Sequence, residues 1–215
     1  MGSVGARAAP TDPNVVSVLD FGADPTGVAD ATTAFQAALT SLAATGGTVL
    51  VPSGNFTFTG SLTVPPSVAL TGTFAVVPSH DVAQRSPVPA RGSVLIVRGG
   101  RGTEAGAFLN VGEDGAVRGL CMWWDANVQG AAPAQYPYAI ALTANNAAVE
   151  DVELLNPWNG ISAVQAARHY IARVQGQPAN IGIFVDQTYD IGRIEDVHVS
   201  AARSLVAAAA PIACI

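Results

Sequence analysis

A repeat of about 22 residues is the feature of this sequence that most restricts its fold. Val149, Ile171 and Ile194 each begin a four-residue motif with a charged residue third and valine fourth, at intervals of 22 and 23 residues. A second set of apolar residues keeps nearly the same interval and consists of Ile140, Ile161 and Ile183. Two strand sets that keep the same interval predict a solenoid of stacked coils.

The repeating segments are short, rich in valine and isoleucine, and separated by turns. A helical solenoid needs longer periodic segments, and the consensus of leucine-rich repeats is absent. The pattern therefore predicts an all-β parallel β-helix, in which each coil has about three short strands and coils stack at roughly 4.8 Å. Val94 lies 23 residues before Val117, and Val117 lies 32 residues before Val149 because an insertion separates them; we place both valines in the same inward column.

One corner of the predicted coils carries charged residues. Asp151, Arg173 and Asp196 are the third residues of three successive motifs, so stacking would bring opposite charges together on the surface. Exposed ion pairs of this kind contribute only about 0–1 kcal/mol each. We therefore expect these residues to form a structural ladder.

The N-terminal part contains the single segment that is typical of a helix. Asp30 is placed to cap a helix over about 31–44, in which Phe35, Leu39 and Leu42 form one apolar stripe. We expect this helix to cover the open apolar end of the β-helix. The organisation is thus a leader over 1–14, a β-helix domain over 15–200 and an alanine-rich tail over 201–215 that does not share the repeat.

Two segments near the N-terminus resemble a known family. Residues 18–39 read VLDFGADPTGVADATTAFQAAL and residues 46–56 read GGTVLVPSGNF. They resemble the opening of the pectate-lyase superfamily, in particular the rhamnogalacturonase/epimerase-like branch related to family 28 glycoside hydrolases. The resemblance implies a single-stranded right-handed β-helix, often extracellular, that acts on or binds polysaccharide; related chains include hydrolases, lyases, fructan transferases and phage tail spikes.

The resemblance does not extend to the known catalytic motifs. Pectin hydrolases of the superfamily carry Asn-Thr-Asp, Asp-Asp, Gly-His-Gly and Arg-Ile-Lys on successive coils, and this chain has none of the four. Asn159 occupies the position where the first of those aspartates would fall. Complete members also have more coils, and the repeat stops after Ser200. We therefore expect a truncated member that aggregates readily and is weakly active or inactive as a fragment.

The strongest candidate for catalysis follows the strand that begins near Gly182. Asp186 and Asp190 are the predicted catalytic pair, and Gln187, Tyr189 and Arg193 are predicted to bind substrate beside them. Glycosidic hydrolysis generally uses two carboxyl groups about 5–10 Å apart, which two aspartates across a turn could supply. Sugar binding without cleavage and a plain Asx-turn remain alternatives for the same residues.

Aromatic residues provide the second candidate group. Trp124, Tyr138 and Trp158, with the neighbouring Asn159, are predicted to bind substrate, because flat rings suit the apolar faces of sugars. Adjacent tryptophans on a strand point to opposite faces, so at most one of Trp123 and Trp124 enters the core. The alternative is that these rings only fill the interior of the insertion around them.

Composition excludes several other classes of protein. With 10 basic and 16 acidic residues, a net charge of −6 and a pI near 4.8, the chain lacks a basic footprint for nucleic acid or an anionic membrane. No run of 18 apolar residues predicts a transmembrane helix, and residues 1–10 contain no secretory signal. Cys121 and Cys214 match no metal or redox spacing, and we predict neither a metal site nor a cofactor.

The functional prediction is a carbohydrate-active protein whose partner is a polysaccharide. A glycoside hydrolase or polysaccharide lyase, extracellular as in the parent family, is the leading hypothesis. The alternative is a non-catalytic adhesion or tail-spike module, a class whose members often form homotrimers. The sugar and its linkage cannot be read from the sequence.

Overall fold

The computed structural model describes residues 12–73, 92–127 and 132–199. These residues form a parallel β-helix, and every pair of neighbouring strands is parallel. The predicted fold class is therefore confirmed. The ends of the predicted leader and tail, 1–11 and 200–215, lie outside the described residues, as does the segment 74–91.

The strands lie on three faces that each coil visits in turn. The first face contains β1 (Val15–Ser17), β3 (Gly47–Leu50), β6 (Val68–Thr71), the first halves of β9 (Ala116–Trp123), β11 (Ala148–Leu155) and β13 (Tyr170–Gly176), and β15 (Arg193–Glu195). The second face contains β2 (Thr26–Asp30), β4 (Gly54–Phe58), β7 (Ser93–Val97), the second halves of β9, β11 and β13, and β16 (His198–Val199). The third face contains β5 (Leu62–Val64), β8 (Ala107–Val111), β10 (Tyr138–Leu142), β12 (Asn159–Val164) and β14 (Ile181–Asp186).

The strand register follows the repeat of the sequence. On the first face Val117 pairs with Val149, which pairs with Ile171, which in turn pairs with Ile194. On the third face the pairs Ile140–Ile161 and Ile161–Ile183 confirm the second predicted column. These columns point inward because each coil must bury the same stripe on the coil below it.

The prediction for Val94 was wrong. Val94 pairs with Cys121 on the second face, whereas the residue that pairs with Val117 is Leu70. The interval between Val94 and Val117 matches the repeat by coincidence, because the segment between β6 and β7 is longer than the corresponding turn of other coils.

In the last four coils, one residue at the corner between the first and second faces has a left-handed backbone. Asp151, Arg173 and Asp196 have φ values of 53°, 51° and 51°, and Gly119 has a φ of 63°. Arg173 Nε donates to Asp151 Oδ1 at 2.8 Å, and Arg173 Nη2 donates to Glu150 Oε2 at 3.0 Å. The predicted ladder therefore forms between Arg173 and the coil that carries Glu150 and Asp151, whereas Asp196 makes no ion pair with Arg173 in the described part of the chain.

A helix covers the N-terminal end of the coils. Helix α1 (Thr32–Ser41) follows β2, and the Asp30 carboxylate accepts a hydrogen bond from the Thr32 amide at 3.0 Å. Phe35 and Leu39 are fully buried and Leu42 is 3% exposed, which confirms the predicted apolar stripe. The Phe35 ring makes edge-to-face contacts with two rings of β4, Phe56 at 5.1 Å and Phe58 at 4.8 Å between centroids.

The turn that leads into β2 is held by one aspartate. Asp24 accepts hydrogen bonds from the Ala29 amide at 2.8 Å and from the Thr26 hydroxyl and amide at 2.7 and 2.9 Å. These bonds, that from Ala29 first, lower the pKa of Asp24 from 3.8 to about 2. The carboxylate thus fixes the loop that carries the chain towards α1.

The core runs along the inside of the coils. An aromatic row continues from Phe58 to Phe108 (5.2 Å between centroids) and from Phe108 to Trp124 (6.4 Å). At the far end the burial decreases, so Ile194 is 43% exposed although it is in register with the inward column. None of the helices among the described residues has the length and apolar character needed to cross a membrane.

Candidate functional site

The outer side of the first face is occupied by ion pairs. Arg118 Nε donates to Glu150 Oε1 at 2.7 Å, and Arg173 binds the other oxygen of Glu150. Burial opposes ionisation of Glu150, but the hydrogen bonds and charges of Arg118 and Arg173 outweigh it and lower the pKa of this carboxyl group. One coil further, Tyr170 donates its hydroxyl proton to Glu195. These polar groups therefore already have partners within the protein.

An apolar cluster covers the middle of the outer side of the second face. Val94 and Cys121 are fully buried, Leu155 is 1% exposed and Ile96 is 7% exposed, and the half-buried Trp123 packs against them. Burial, together with the charge of Glu153 and a hydrogen bond to it, raises the pKa of the Cys121 thiol well above its ordinary value. The same outward column continues to Glu153 and Gln175, which are buried, and then to His198, which is exposed.

The outer side of the third face has a different character. The pairing of β5, β8, β10, β12 and β14 aligns one residue from each strand in a row that we call the outer column. All five members are at least partly exposed. The first four are small or polar and the last is aromatic; they are Thr63, Asn110, Ala141, Ser162 and Phe184. A shallow, open and hydroxyl-bearing surface thus runs across five coils.

A cavity of about 280 Å³ lies beside the first part of this column, at the corner between the second and third faces. Its inner wall is apolar and contains Val97, Phe108 and Trp124. The polar groups that line it belong to Thr59, Ser61, Thr103 and Asn110. None of the described residues that line it is charged. We call this space the corner cavity.

The loop 98–106, between β7 and β8, forms one side of the corner cavity. It lies against the preceding coil, where the Gly99 amide donates to the Phe58 carbonyl. A Cβ atom at Gly99 would lie 2.2 Å from the Thr59 carbonyl oxygen, so this close approach requires glycine. The hydroxyl-bearing turn 59–61 and the loop are therefore held together as two walls of one space.

The predicted aromatic residues divide between this corner and the core. Tyr138 begins β10, directly after Pro137, which lines the cavity, and it is half-buried. Burial, followed by the charge of Glu104, raises the pKa of the Tyr138 phenol. Trp158 is also half-buried and precedes β12 at the same corner. Both rings thus lie at the edge of the third face, where substrate binding was predicted.

Two of the predicted binding residues are buried. Trp124 is 1% exposed and packs edge-to-face on Phe108, because the chain turns inward after Trp123 at the end of β9. It forms part of the wall of the corner cavity. Asn159 is 1% exposed, and its Oδ1 accepts a hydrogen bond from Asn180 Nδ2 at 2.9 Å, so its amide stabilises the turn between coils.

The predicted catalytic group lies at the opposite end of the third face. Tyr138 pairs with Asn159, which pairs with Ile181, and Asp186 lies five residues further along β14. At about 3.3 Å per residue and 4.8 Å per coil, Tyr138 and Asp186 are about 19 Å apart. The nine predicted residues therefore do not form one compact site, and only a ligand of several sugar residues reaches both ends.

Asp190 belongs to a polar ladder at the corner between the third and first faces. Asn146 donates to Asp114 at 2.9 Å, Arg168 Nε donates to Asn146 at 2.9 Å, and Arg168 Nη1 lies 3.2 Å from Asp190 Oδ2. Asp114, Asn146 and Arg168 all have left-handed backbones, with φ from 54° to 59°. The contact with Arg168 thus explains the position of the Asp190 carboxylate without a bound substrate.

Asp186 and its neighbours are more open. Asp186 Oδ1 accepts a hydrogen bond from the Gln187 amide at 2.8 Å, and Gln165 donates to the Gln187 side chain at 3.0 Å. Tyr189 is 90% exposed, and Arg193 lies exposed at the start of β15 on the first face. Asp186 is therefore the predicted catalytic acid whose carboxylate meets solvent without an ion pair in the described part of the chain.

The polar residues of the corner cavity were missed in the sequence. Thr59, Ser61 and Thr103 belong to turns and are not part of the repeat. Four glycines between 99 and 106 interrupt the coil interval and were the available signal. A search for groups of three or more His, Cys, Asp or Glu side chains able to hold a metal found none within 12–73, 92–127 and 132–199.

Comparison with known proteins places the chain among β-helices. A family model described as rhamnogalacturonase A/epimerase, pectate lyase-like matches residues 15–204. A protein of Geobacillus virus E2, ORF18, has a similar structure with a TM-score of 0.54 and 14% identity, covering 84% of this chain and 40% of that protein. A protein from Parabacteroides merdae that is provisionally named a glycosyl hydrolase has a TM-score of 0.50 and 12% identity, with 90% and 99% covered.

At these identities the two structural likenesses establish the fold. The chain spans about two fifths of the length of the phage protein, and nearly the whole of the Parabacteroides protein. No curated protein sequence matches the chain.

Proposed function

We propose that this chain, which belongs to the rhamnogalacturonase A/epimerase, pectate lyase-like family, is a carbohydrate-active protein that binds a polysaccharide along the outer side of its third face. The observation that carries the proposal is the outer column, an open row of small and polar side chains with the corner cavity at one end and Asp186 at the other. The outer side of the first face is occupied by ion pairs, and the middle of the outer side of the second face by an apolar cluster.

The binding surface suits an extended chain of sugars. Hydroxyl and amide groups of Thr63, Asn110 and Ser162 can exchange hydrogen bonds with sugar hydroxyls, and the half-buried rings of Tyr138 and Trp158 border the column. Sites for small polar ligands combine apolar walls with a few placed polar groups in the same way. Since such polymers lie outside cells, we also propose an extracellular location.

For catalysis we propose Asp186 and Asp190 as the carboxyl pair of a glycoside hydrolase. In such a reaction one carboxyl group protonates the departing glycosidic oxygen, and the other activates water or attacks the sugar directly. Asp186 is the better acid or base, because Asp190 is held by Arg168. A polysaccharide lyase is the alternative within the same class.

A second candidate function is polysaccharide binding without cleavage, as in an adhesion or tail-spike module. The ion pair between Asp190 and Arg168 favours it, because this pair completes a corner ladder and leaves Asp186 as the single free carboxylate of the proposed pair. A homotrimer belongs to this candidate, and light scattering after size-exclusion chromatography tests it.

The deciding experiment measures binding and cleavage over one panel of polysaccharides. Affinity electrophoresis reports binding, new reducing ends report hydrolysis, and ultraviolet absorbance of unsaturated products reports a lyase. We expect Asp186→Asn to abolish cleavage and keep binding, whereas Glu113→Gln, which removes an exposed carboxylate from an earlier turn, changes neither. Binding without cleavage by the unaltered chain selects the second candidate, and absence of binding to every polymer refutes the proposal.

A further inference from the structure

We propose that the corner cavity binds one uncharged sugar residue of the polysaccharide, and that it discriminates against residues carrying a carboxylate. The inference rests on the proposed function, since it assigns a chemical class to part of the same surface. The cavity volume of about 280 Å³ is at the low end of small-molecule pockets, which suits a single sugar residue.

The wall of the cavity has two sides with different chemistry. Val97, Phe108 and Trp124 provide an apolar side that is almost fully buried. Ser61 faces them from an exposed turn and can both donate and accept hydrogen bonds, whereas the Thr59 hydroxyl donates to Asp30 Oδ2 and can still accept. A sugar ring has the same division, with C–H groups on its faces and hydroxyl groups around its rim.

No cation is among the described residues that line the cavity. Arg98 stands between two lining residues, Val97 and Gly99, but its side chain is directed to Asp125, with Nε and Nη2 at 2.9 and 2.8 Å from Oδ2. Within the loop, Arg101 and Glu104 are exposed, carry opposite charges and do not line the cavity. A carboxylate placed there would lose hydration without gaining an ion pair.

Four of the six described arginines are already in ion pairs, and the other two, Arg101 and Arg193, do not line the cavity. Arg118 and Arg173 are bound to acids on the first face, and Arg168 is bound to Asp190 at a corner. The outer column itself carries no basic residue. With a net charge of −6, the chain also repels a polyanion at long range.

The test compares one polymer before and after removal of its charge. Homogalacturonan is reduced at its carboxyl groups to the neutral polymer of the same linkage, and both forms, with a panel of neutral glycans, are titrated calorimetrically at low ionic strength. We expect the native polyuronate to bind at least ~10-fold more weakly than its reduced form or the best neutral glycan, because its carboxylates remain unpaired.

Two variants locate the effect. Ser61→Phe places a ring in the cavity and should weaken binding of the neutral polymer at least ~10-fold, a loss typical of removing well-placed contacts. Ser53→Phe introduces the same ring at an exposed turn between β3 and β4 and should leave binding unchanged. Thermal melts of both variants confirm that they are folded.

The outcomes separate the inference from the function. Tighter binding of the polyuronate, or equal effects of the two variants, overturns the cavity assignment and leaves polysaccharide binding intact. Failure of every polymer to bind overturns both. Preference for the neutral form together with loss of binding in Ser61→Phe supports the inference.

Discussion

The cap helix provides the most direct test of how this fold is stabilised, through the substitution Phe35→Ala. The Phe35 ring is fully buried and makes edge-to-face contacts with Phe56 and Phe58. Replacing a buried phenylalanine with alanine costs about 3–5 kcal/mol. Each aromatic pair contributes about 0.5–1.5 kcal/mol beyond buried area, so the upper part of that range, about 4–5 kcal/mol, is expected.

The measurement is the thermal midpoint, followed by far-ultraviolet circular dichroism. For a chain of this size 1 kcal/mol corresponds to about 2–4 °C, so Phe35→Ala should lower the midpoint by roughly 8–20 °C. Phe184→Ala is the matched control, since this ring is 37% exposed at the other end of the coils and should cost about 1 kcal/mol. Equal shifts for the two variants would show that α1 does not protect the end of the β-helix.

Three further predictions concern charge and thiol chemistry. The pKa of Asp24 falls from 3.8 to about 2 on folding, so its carboxylate stabilises the protein above pH 3.8 and this contribution is lost towards pH 2; the melting-temperature gap between the native chain and Asp24→Asn should close over that range. In a double-mutant cycle, Arg173→Met and Asp151→Asn should show a coupling of about 0–1 kcal/mol that shrinks in high salt. In a Cys214→Ser background, Cys121 should resist thiol reagents until the chain is unfolded, because it is fully buried; rapid labelling of the native chain would contradict this.

Much of the fold could be predicted because the core imposes the same demand on every coil. An inward residue such as Ile171 must match Val149 below it and Ile194 above it, so the interval appears directly in the sequence. The cap helix was predictable for a related reason, since one apolar stripe early in an otherwise β-rich chain has to cover something. The assignment of Val94 failed where an insertion of unrelated length separates two strands of one coil.

The site could be predicted only in part, because outward residues and turns do not have to match the residues of neighbouring coils. The periodicity indicates which residues share a strand, but it does not show which corner brings two insertions together. The turn 59–61 and the loop 98–106 are distant in sequence and meet because β4 and β7 are neighbours. Trp124 illustrates the same limit, since alternation shows that one of two adjacent rings enters the core without showing which.

The stacking of coils also divides the acidic residues into those that have polar partners in neighbouring coils and those that have none. Asp190 lies at a corner and continues a ladder of hydrogen bonds that Asn146 and Arg168 form in the preceding coils. This ladder explains its presence without a substrate. Asp186 has no such column, because the residue that pairs with it in the preceding coil is Val164. Asp186 is exposed at the edge of an open polar surface, and the aliphatic side chain of Val164 offers its carboxylate no hydrogen bond or ion pair. We therefore expect Asp186→Asn to be the substitution that abolishes any cleavage of a polysaccharide while leaving binding intact.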